Sequence, residues 1–310
     1  MVPGGAVRAA GVARGVMRHA RYPPGVPIRS RASAAAGQLK RKVSQRRQAA
    51  ASGPPAAAVR AARHSDRERL LVRPVFILSS IRSGSTLLRV MLNTHSQIYA
   101  PHELHLRSLS VNLNGKYVTR AMEELDLDAH GLQYLLWDRL LHSEMIRHRK
   151  NVVVNKTPSD AFIWRRIVEC WPDARFLFLL RHPAAITDSW SRARKDWSRE
   201  QVAEDVLRYM EAVEDARRAH GGLDVRYEEL TRNPEQVLRE VCEHIGVRWE
   251  SKMLRYGEAD HGAFRAGLGD WSARIKSGTV QPVQRMPTAE EIPQSLIAIS
   301  TKWGYVTPTR

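Results

Sequence analysis

The 310-residue chain has two cysteines, Cys170 and Cys242, too few for a disulfide framework or a four-thiolate zinc site. No apolar run approaches the length of a membrane span. The longest, around Val75 to Leu78 and Phe176 to Leu180, are a few residues each where about 20 are needed, which excludes an ordinary membrane anchor. Acidic residues are missing from the first 65 positions, which hold thirteen lysines and arginines. The formal charge of +17 therefore sits mostly in that segment, because the remainder carries 36 basic against 32 acidic residues. A strongly basic balance points to nucleic acid or an anionic surface only when it is spread over the fold, and here it is not.

Residues 1–69 also lack bulky apolar side chains in any periodic pattern, so burial cannot offset ordering entropy and the composition predicts a disordered basic tail. The tail resembles an organellar transit peptide and lacks the apolar core of a secretory signal. The cluster Lys40-Arg41-Lys42 with Arg46-Arg47 offers a nucleic-acid or partner contact as a minor reading. A solvated extension is the main one. With no membrane span or secretory signal, a cytoplasmic location is expected.

From Val72 the texture changes. Pro74–Ser79, Asn151–Asn155, Arg175–Leu180 and Asp224–Tyr227 read as short buried strands. Helical patterns follow them over Thr86–Leu92, Ser159–Cys170, Ala184–Arg194, Arg199–Ala219 and Pro234–Ile245, with a last amphipathic helix over Ala289–Trp303. Alternation of this kind predicts an α/β fold: a P-loop-type parallel sheet flanked by helices, one domain over 70–310, with ligands at the carboxyl ends of the strands.

The turn after the first strand, Ser79-Ser-Ile-Arg82-Ser83-Gly84-Ser85-Thr86-Leu-Leu, suits a phosphate. Small residues let backbone N–H groups converge, the next helix adds its positive end, and the hydroxyls of Ser83, Ser85 and Thr86 add donors. It lacks the first glycine and the lysine of a Walker A loop; Arg82 is the cation instead. A Gly/Ser turn that merely caps a helix is the alternative. A second grip follows the third strand, where Arg181 and Ser189, eight residues on, can hold one phosphate together. The alternative there is an arginine paired with an acid beside an ordinary surface serine. Two cradles imply a ligand with two separated anionic groups.

Strand-Arg82-Ser-Gly-Ser-Thr-Leu-Leu resembles the 5′-phosphosulfate loop of the sulfotransferase family, and Arg181-His-Pro with Ser189 resembles its 3′-phosphate motif. Val225-Arg-Tyr-Glu-Glu-Leu230 with Asn233-Pro234 resembles the family's downstream strand and helix, and the likeness covers roughly 72–250. The form is closest to tyrosylprotein sulfotransferases and to bacterial sulfotransferases, including domains of polyketide assembly lines. The resemblance implies the donor 3′-phosphoadenosine 5′-phosphosulfate (PAPS), the product 3′-phosphoadenosine 5′-phosphate (PAP) and chemistry that needs no metal. Arg82, Ser83, Gly84, Ser85 and Thr86 would then hold the 5′-phosphosulfate, and Arg181 and Ser189 the 3′-phosphate. Tyr227 reads equally as a donor contact or a buried structural tyrosine. Ser272, Arg274, Lys276 and Gly278 lie near the place of the family's late basic loop, with a poor match in spacing.

Sulfuryl transfer to a hydroxyl needs a base for the acceptor and positive charge for the departing oxygen. Glu103, 21 residues after Arg82, resembles the glutamate base of the tyrosylprotein enzymes. His105 is the runner-up and His102 the third candidate. The alternative for Glu103 is a structural pair with Arg82. Lys156, after the second strand, resembles the family lysine at the bridging oxygen, against a solvated turn lysine, and Arg82 shares its role. His142 and His148 are six apart, not a same-face spacing, and read as surface helix. The segment 106–149 reads as the acceptor-facing insertion. Trp190, Trp197 and Trp271 carry no assigned role. The expected function is transfer of a sulfuryl group from PAPS to a small-molecule or carrier-bound hydroxyl: a phenol, alcohol or sugar. The rival expectations are an ATP-dependent P-loop phosphotransferase and a non-catalytic binding protein acting through its basic tail.

Overall fold

The short apolar segments assemble into one sheet in the computed structural model, which describes residues 69–262 and 273–307. Its elements are β1 Val75–Ser79, α1 Ser85–Asn93, β2 Ile98–Tyr99, α2 Lys116–Glu123, α3 Ala129–Arg147, β3 Val152–Lys156, α4 Trp164–Cys170, β4 Arg175–Leu180 and α5 Pro183–Ala193. Then come α6 Arg199–His220, β5 Leu223–Arg226, α7 Tyr227–Arg232, α8 Pro234–Ile245, α9 Ala273–Lys276 and α10 Ile297–Lys302. The sheet is five-stranded in the order β2-β3-β1-β4-β5, and every pairing is parallel. The expected tail lies outside the described residues up to Arg69, as do Ser272 and Trp271. No helix among the described residues is long and apolar enough to cross a membrane.

Continuous apolar strands are explained by cover on both faces. Successive side chains point to opposite sides, so Phe76, Leu78, Phe176, Phe178 and Leu180 join one core with Val202, Val206, Met210 and Val213 of α6. Val75, Ile77, Leu177 and Leu179 join the other, with Leu88 and Met91 of α1 and Leu238 and Val241 of α8. Cys170 and Cys242 are free and buried, one in each core. Trp137 and Trp171 fill the first core around Asp138, which is 3% exposed. Its carboxylate accepts from Trp171 Nε1 at 2.8 Å and from the amides of Leu70 and Leu71 at 2.8 and 3.1 Å. Asp138→Ala strands two buried donors and one part-buried donor and is expected to lower unfolding free energy by about 2–4 kcal/mol. A urea midpoint unchanged from wild type would contradict that account.

Several expected boundaries move. The strand expected over Asn151–Asn155 runs through Lys156, and Tyr227 opens α7 instead of closing β5. The helix expected from Ser159 begins as a 3-10 turn, Pro158–Ile163, before α4. The strand β2 escapes the sequence because two residues carry no alternation. The single helix expected over Ala289–Trp303 is corrected to two 3-10 turns, Ala289–Glu291 and Gln294–Leu296, and the short α10. Pro293 explains the break: it cannot donate to a helical ladder and pushes Ile292 to an extended ψ of 126°. His142 lies on α3 and His148 caps its end, exposed.

Because all strands run the same way, the segments following them emerge on one edge of the sheet. These segments carry Arg82 after β1, Glu103 after β2, Thr157 after β3, Arg181 after β4 and Tyr227 after β5. The chain passes from one side of β1 to the other between β3 and β4, a switch point of the kind where open α/β sheets bind ligands.

Candidate functional site

A cavity of about 770 Å³ opens at that edge, lined in part by Arg82, Gly84, Thr86, Glu103, Arg181, Ser189 and Tyr227. The volume lies within the range of small-molecule sites, roughly 300–1,000 Å³. Its floor is the turn between β1 and α1. Arg82 has φ 58° and Gly84 φ 88°, two left-handed residues that curl the chain before the helix begins. Gly84 caps α1 without a side chain, and the first turn has no acid, so no side chain competes for the outward-facing amides. The hydroxyls of Ser80 and Ser83 are buried and find no partner among the described residues. An unmatched buried hydroxyl costs about 1–3 kcal/mol, and an anion at the mouth of this turn would supply acceptors. A methyl group at Gly84 would stand 2.3 Å from the ring of Tyr227, so only glycine allows this approach.

The two grips expected separately are joined. Arg82 Nε donates to Ser189 Oγ at 3.1 Å, and Arg181 Nη1 donates to the carbonyl of Arg82 at 2.7 Å. The guanidinium of Arg181 lies 4.4 Å from the centre of the Tyr227 ring. Tyr227 thus packs between Gly84 and Arg181 while facing the cavity, so it is structural and site-lining together.

At the same edge Lys156 Nζ hydrogen-bonds Glu103 Oε1 and lies 3.5 Å from Thr86 Oγ1. Its side chain is 1% exposed and that of Glu103 15%. The reading of Lys156 as a solvated turn lysine is therefore corrected: it ends a central strand inside the core, and its charge is matched by Glu103. Arg82 is not Glu103's partner. Arg89, also buried, donates to the carbonyl of Ala100 at 3.1 Å and anchors the start of the Glu103 loop. Burial draws this guanidinium down to about 10, with the negative charge of Glu103 opposing, and it stays charged at neutral pH. His105 stands apart. Its Nε2 is 3.9 Å from Glu103 Oε2, its side chain is 43% exposed, and it does not line the cavity. His102 is exposed, with Nδ1 3.1 Å from the Glu103 carbonyl oxygen.

Lys276 is exposed and outside the cavity wall, whereas Ile275, Thr279 and Gln281 of the same segment line it. Gly278 packs on Gly257, whose amide donates to its carbonyl at 3.0 Å, and Tyr256 donates to Thr279 O at 2.9 Å. Sequence reasoning missed these contacts because they join distant segments, Tyr256 and Thr279 being 23 positions apart. It also missed Arg192, which lines the cavity one helical turn after Ser189; that i, i+3 spacing on α5 was the available signal. Trp190 lines the wall too, its Nε1 donating to Asp205 at 3.0 Å.

Comparison with known proteins points the same way. Residues 74–251 match the family model described as the sulfotransferase family. A protein-tyrosine sulfotransferase of Drosophila melanogaster is 24% identical over 203 residues, covering 59% of this chain and 40% of its own length. The sulfotransferase domain of the Synechococcus PCC 7002 olefin synthase is 27% identical with a TM-score of 0.57, covering 78% of this chain and 98% of that domain. The sulfotransferase domain from the curacin biosynthetic pathway shares the fold at the same TM-score and 24% identity, covering 78% of this chain and 100% of that domain. The chain spans between 27% and 56% of the length of the first curated relatives it matches. With a parallel five-stranded sheet, an arginine-bearing glycine turn after its central strand and a family match over more than half its length, this chain belongs to the sulfotransferase family.

Proposed function

We propose that the chain transfers a sulfuryl group from PAPS to a hydroxyl acceptor, and the observation that carries this reading is the Glu103–Lys156 pair beside the anion turn. The residues fit the donor. The orphaned hydroxyl of Ser83 and the glycine-only approach at position 84 suit a bound phosphosulfate. Arg82, Ser83, Gly84, Ser85 and Thr86 hold that group. Arg181 and Ser189 hold the 3′-phosphate, with Arg192 as an added cation. Tyr227 supports both by its packing, and Lys276 is assigned no contact.

Glu103 takes the proton of the acceptor hydroxyl as its oxygen bonds to sulfur. The bond between sulfur and the bridging oxygen of the 5′-phosphate breaks, and PAP leaves with the electron pair. Lys156 and Arg82 neutralise the charge that grows on that oxygen. His105, which does not line the cavity, stays the second candidate for the base. Acceptors of the phenol, alcohol or sugar class, free or carrier-bound, fit a cavity whose wall includes Trp190 and Pro158.

The test is incubation with sulfur-35-labelled PAPS and a panel comprising a phenol, a tyrosyl peptide, an aliphatic alcohol and a sugar. The label is expected to move to at least one acceptor with an equal amount of PAP formed. Phosphorylation from ATP and magnesium, with the PAPS label unmoved throughout, would overturn the reading in favour of a phosphotransferase.

A further inference from the structure

The segment after β3 does more than deliver Lys156. Asp160 lies one turn further on and is 1% exposed. Its Oδ2 accepts from Asn155 Nδ2 at 2.8 Å and its Oδ1 from the amide of Arg107 at 3.3 Å. Thr157 Oγ1, buried beside it, accepts from the amide of His105 at 3.2 Å. The loop after β2 that carries Glu103 is therefore fastened at two points to the segment that follows Lys156. No other part of the Glu103–Lys156 arrangement requires an acid here, and a buried carboxylate is retained at some expense to stability.

We propose that Asp160 is a positioning residue: its ionised carboxylate staples the Glu103 loop to the segment that follows β3 and so holds Glu103 against Lys156, and protonating Asp160 loosens that arrangement. The inference rests on the reading of Glu103 as the base. The charged and titratable groups around Asp160 are Glu103 and His105 on the loop, Arg107 on the turn after it and Lys156 on β3. Arg208 and Tyr209 of α6 face the same turn across Phe162, whose ring lies 4.7 Å from Tyr209 and 5.7 Å from the Arg208 guanidinium. Burial pushes the Asp160 carboxyl up to about 6, while Asn155, the Arg107 amide and the charge of His105 pull it down and Glu103 raises it further.

Protonation loosens the staple, because the bonds from Asn155 and Arg107 lose their charge assistance and with it roughly half their strength. The effect on folding has the opposite sign. Between an ordinary aspartate value near 4 and about 6, the folded chain binds a proton that the unfolded chain does not, so stability rises as pH falls through that window. Loss of activity there is not loss of fold.

The test combines two measurements. Hydrogen exchange of the Arg107 amide in the wild-type chain, corrected for the intrinsic pH dependence, is expected to lose protection by about fivefold or more between pH 7.5 and pH 5. Its midpoint should lie near the Asp160 value of about 6. Protection independent of pH would overturn the staple. Asp160→Asn is expected to lower kcat at pH 8 by about tenfold or more, to remove the inflection near pH 6 from the wild-type profile and to leave the dissociation constant for PAP within about twofold. A variant with wild-type kcat and the same acid limb would assign that limb to another group and overturn the proposal. The exchange measurement needs no turnover, so a chain that failed to bind PAP yet showed the pH-dependent protection would refute the donor assignment and leave the staple standing.

Discussion

Glu103→Gln is expected to abolish turnover, lowering kcat by about 100- to 10,000-fold, the usual worth of a general base, while PAP affinity stays within about threefold. The separation follows from position. Glu103 lines the cavity and touches neither Arg82 nor Arg181 through any hydrogen bond or ion pair described above. Glutamine keeps an oxygen that can accept from Lys156 Nζ, so the buried ammonium retains a partner. It loses the opposing charge, however, and breaking a buried ion pair costs roughly 3–5 kcal/mol when one partner is removed outright. A smaller fall in thermal stability is therefore expected with glutamine. The decisive readout is the ratio of effects on kcat and on PAP binding. Collapse of PAP affinity along with turnover would make Glu103 structural.

The second large effect belongs to Gly84→Ala. The added methyl would lie 2.3 Å from two carbons of the Tyr227 ring, at a φ of +88°. A left-handed backbone costs a non-glycine residue about 1–2 kcal/mol, and overpacking adds about 1–3 kcal/mol. Tyr227 cannot swing away freely, because its ring stacks under the Arg181 guanidinium and that guanidinium holds the Arg82 carbonyl. The strain is relieved by parting the turn from Tyr227, which separates the two grips. PAP affinity is expected to fall by about 30-fold or more, since about 2 kcal/mol is a factor of about 30, with kcat at saturating donor much less affected. An unchanged dissociation constant by calorimetry would show that the turn does not depend on this contact.

The parts legible in the sequence were those written in local pattern. The β1 turn and Arg181 with Ser189 could be singled out because each rests on neighbouring residues and on strand ends that apolar runs mark, whereas Glu103 was singled out by family resemblance, its strand β2 being too short to read. Their meeting was also foreseeable, since a parallel sheet delivers its strand ends to one edge. Other features depended on distant partners. The Arg82–Ser189 bond spans 107 positions and turns two grips into one connected site. Lys156 could be singled out through the family resemblance but its burial could not, because β3 pairs beside β1 and brings its Nζ within 3.5 Å of Thr86 Oγ1. Asp160 had no signal of its own, because its importance lies in burial and in the backbone amides it meets. The expected helix over Ala289–Trp303 gave too much weight to amphipathic spacing and too little to Pro293.

Thermal unfolding with PAP, with ADP, and with ATP plus magnesium tests the central claim most directly, because PAP alone carries both a 5′- and a 3′-phosphate. A ligand that binds only the folded chain adds RT ln(1 + [L]/Kd), about 2.7 kcal/mol at a hundredfold excess over Kd. The account predicts a large upward shift of the midpoint with PAP and little with the other two. A shift with ATP and magnesium but none with PAP would contradict it.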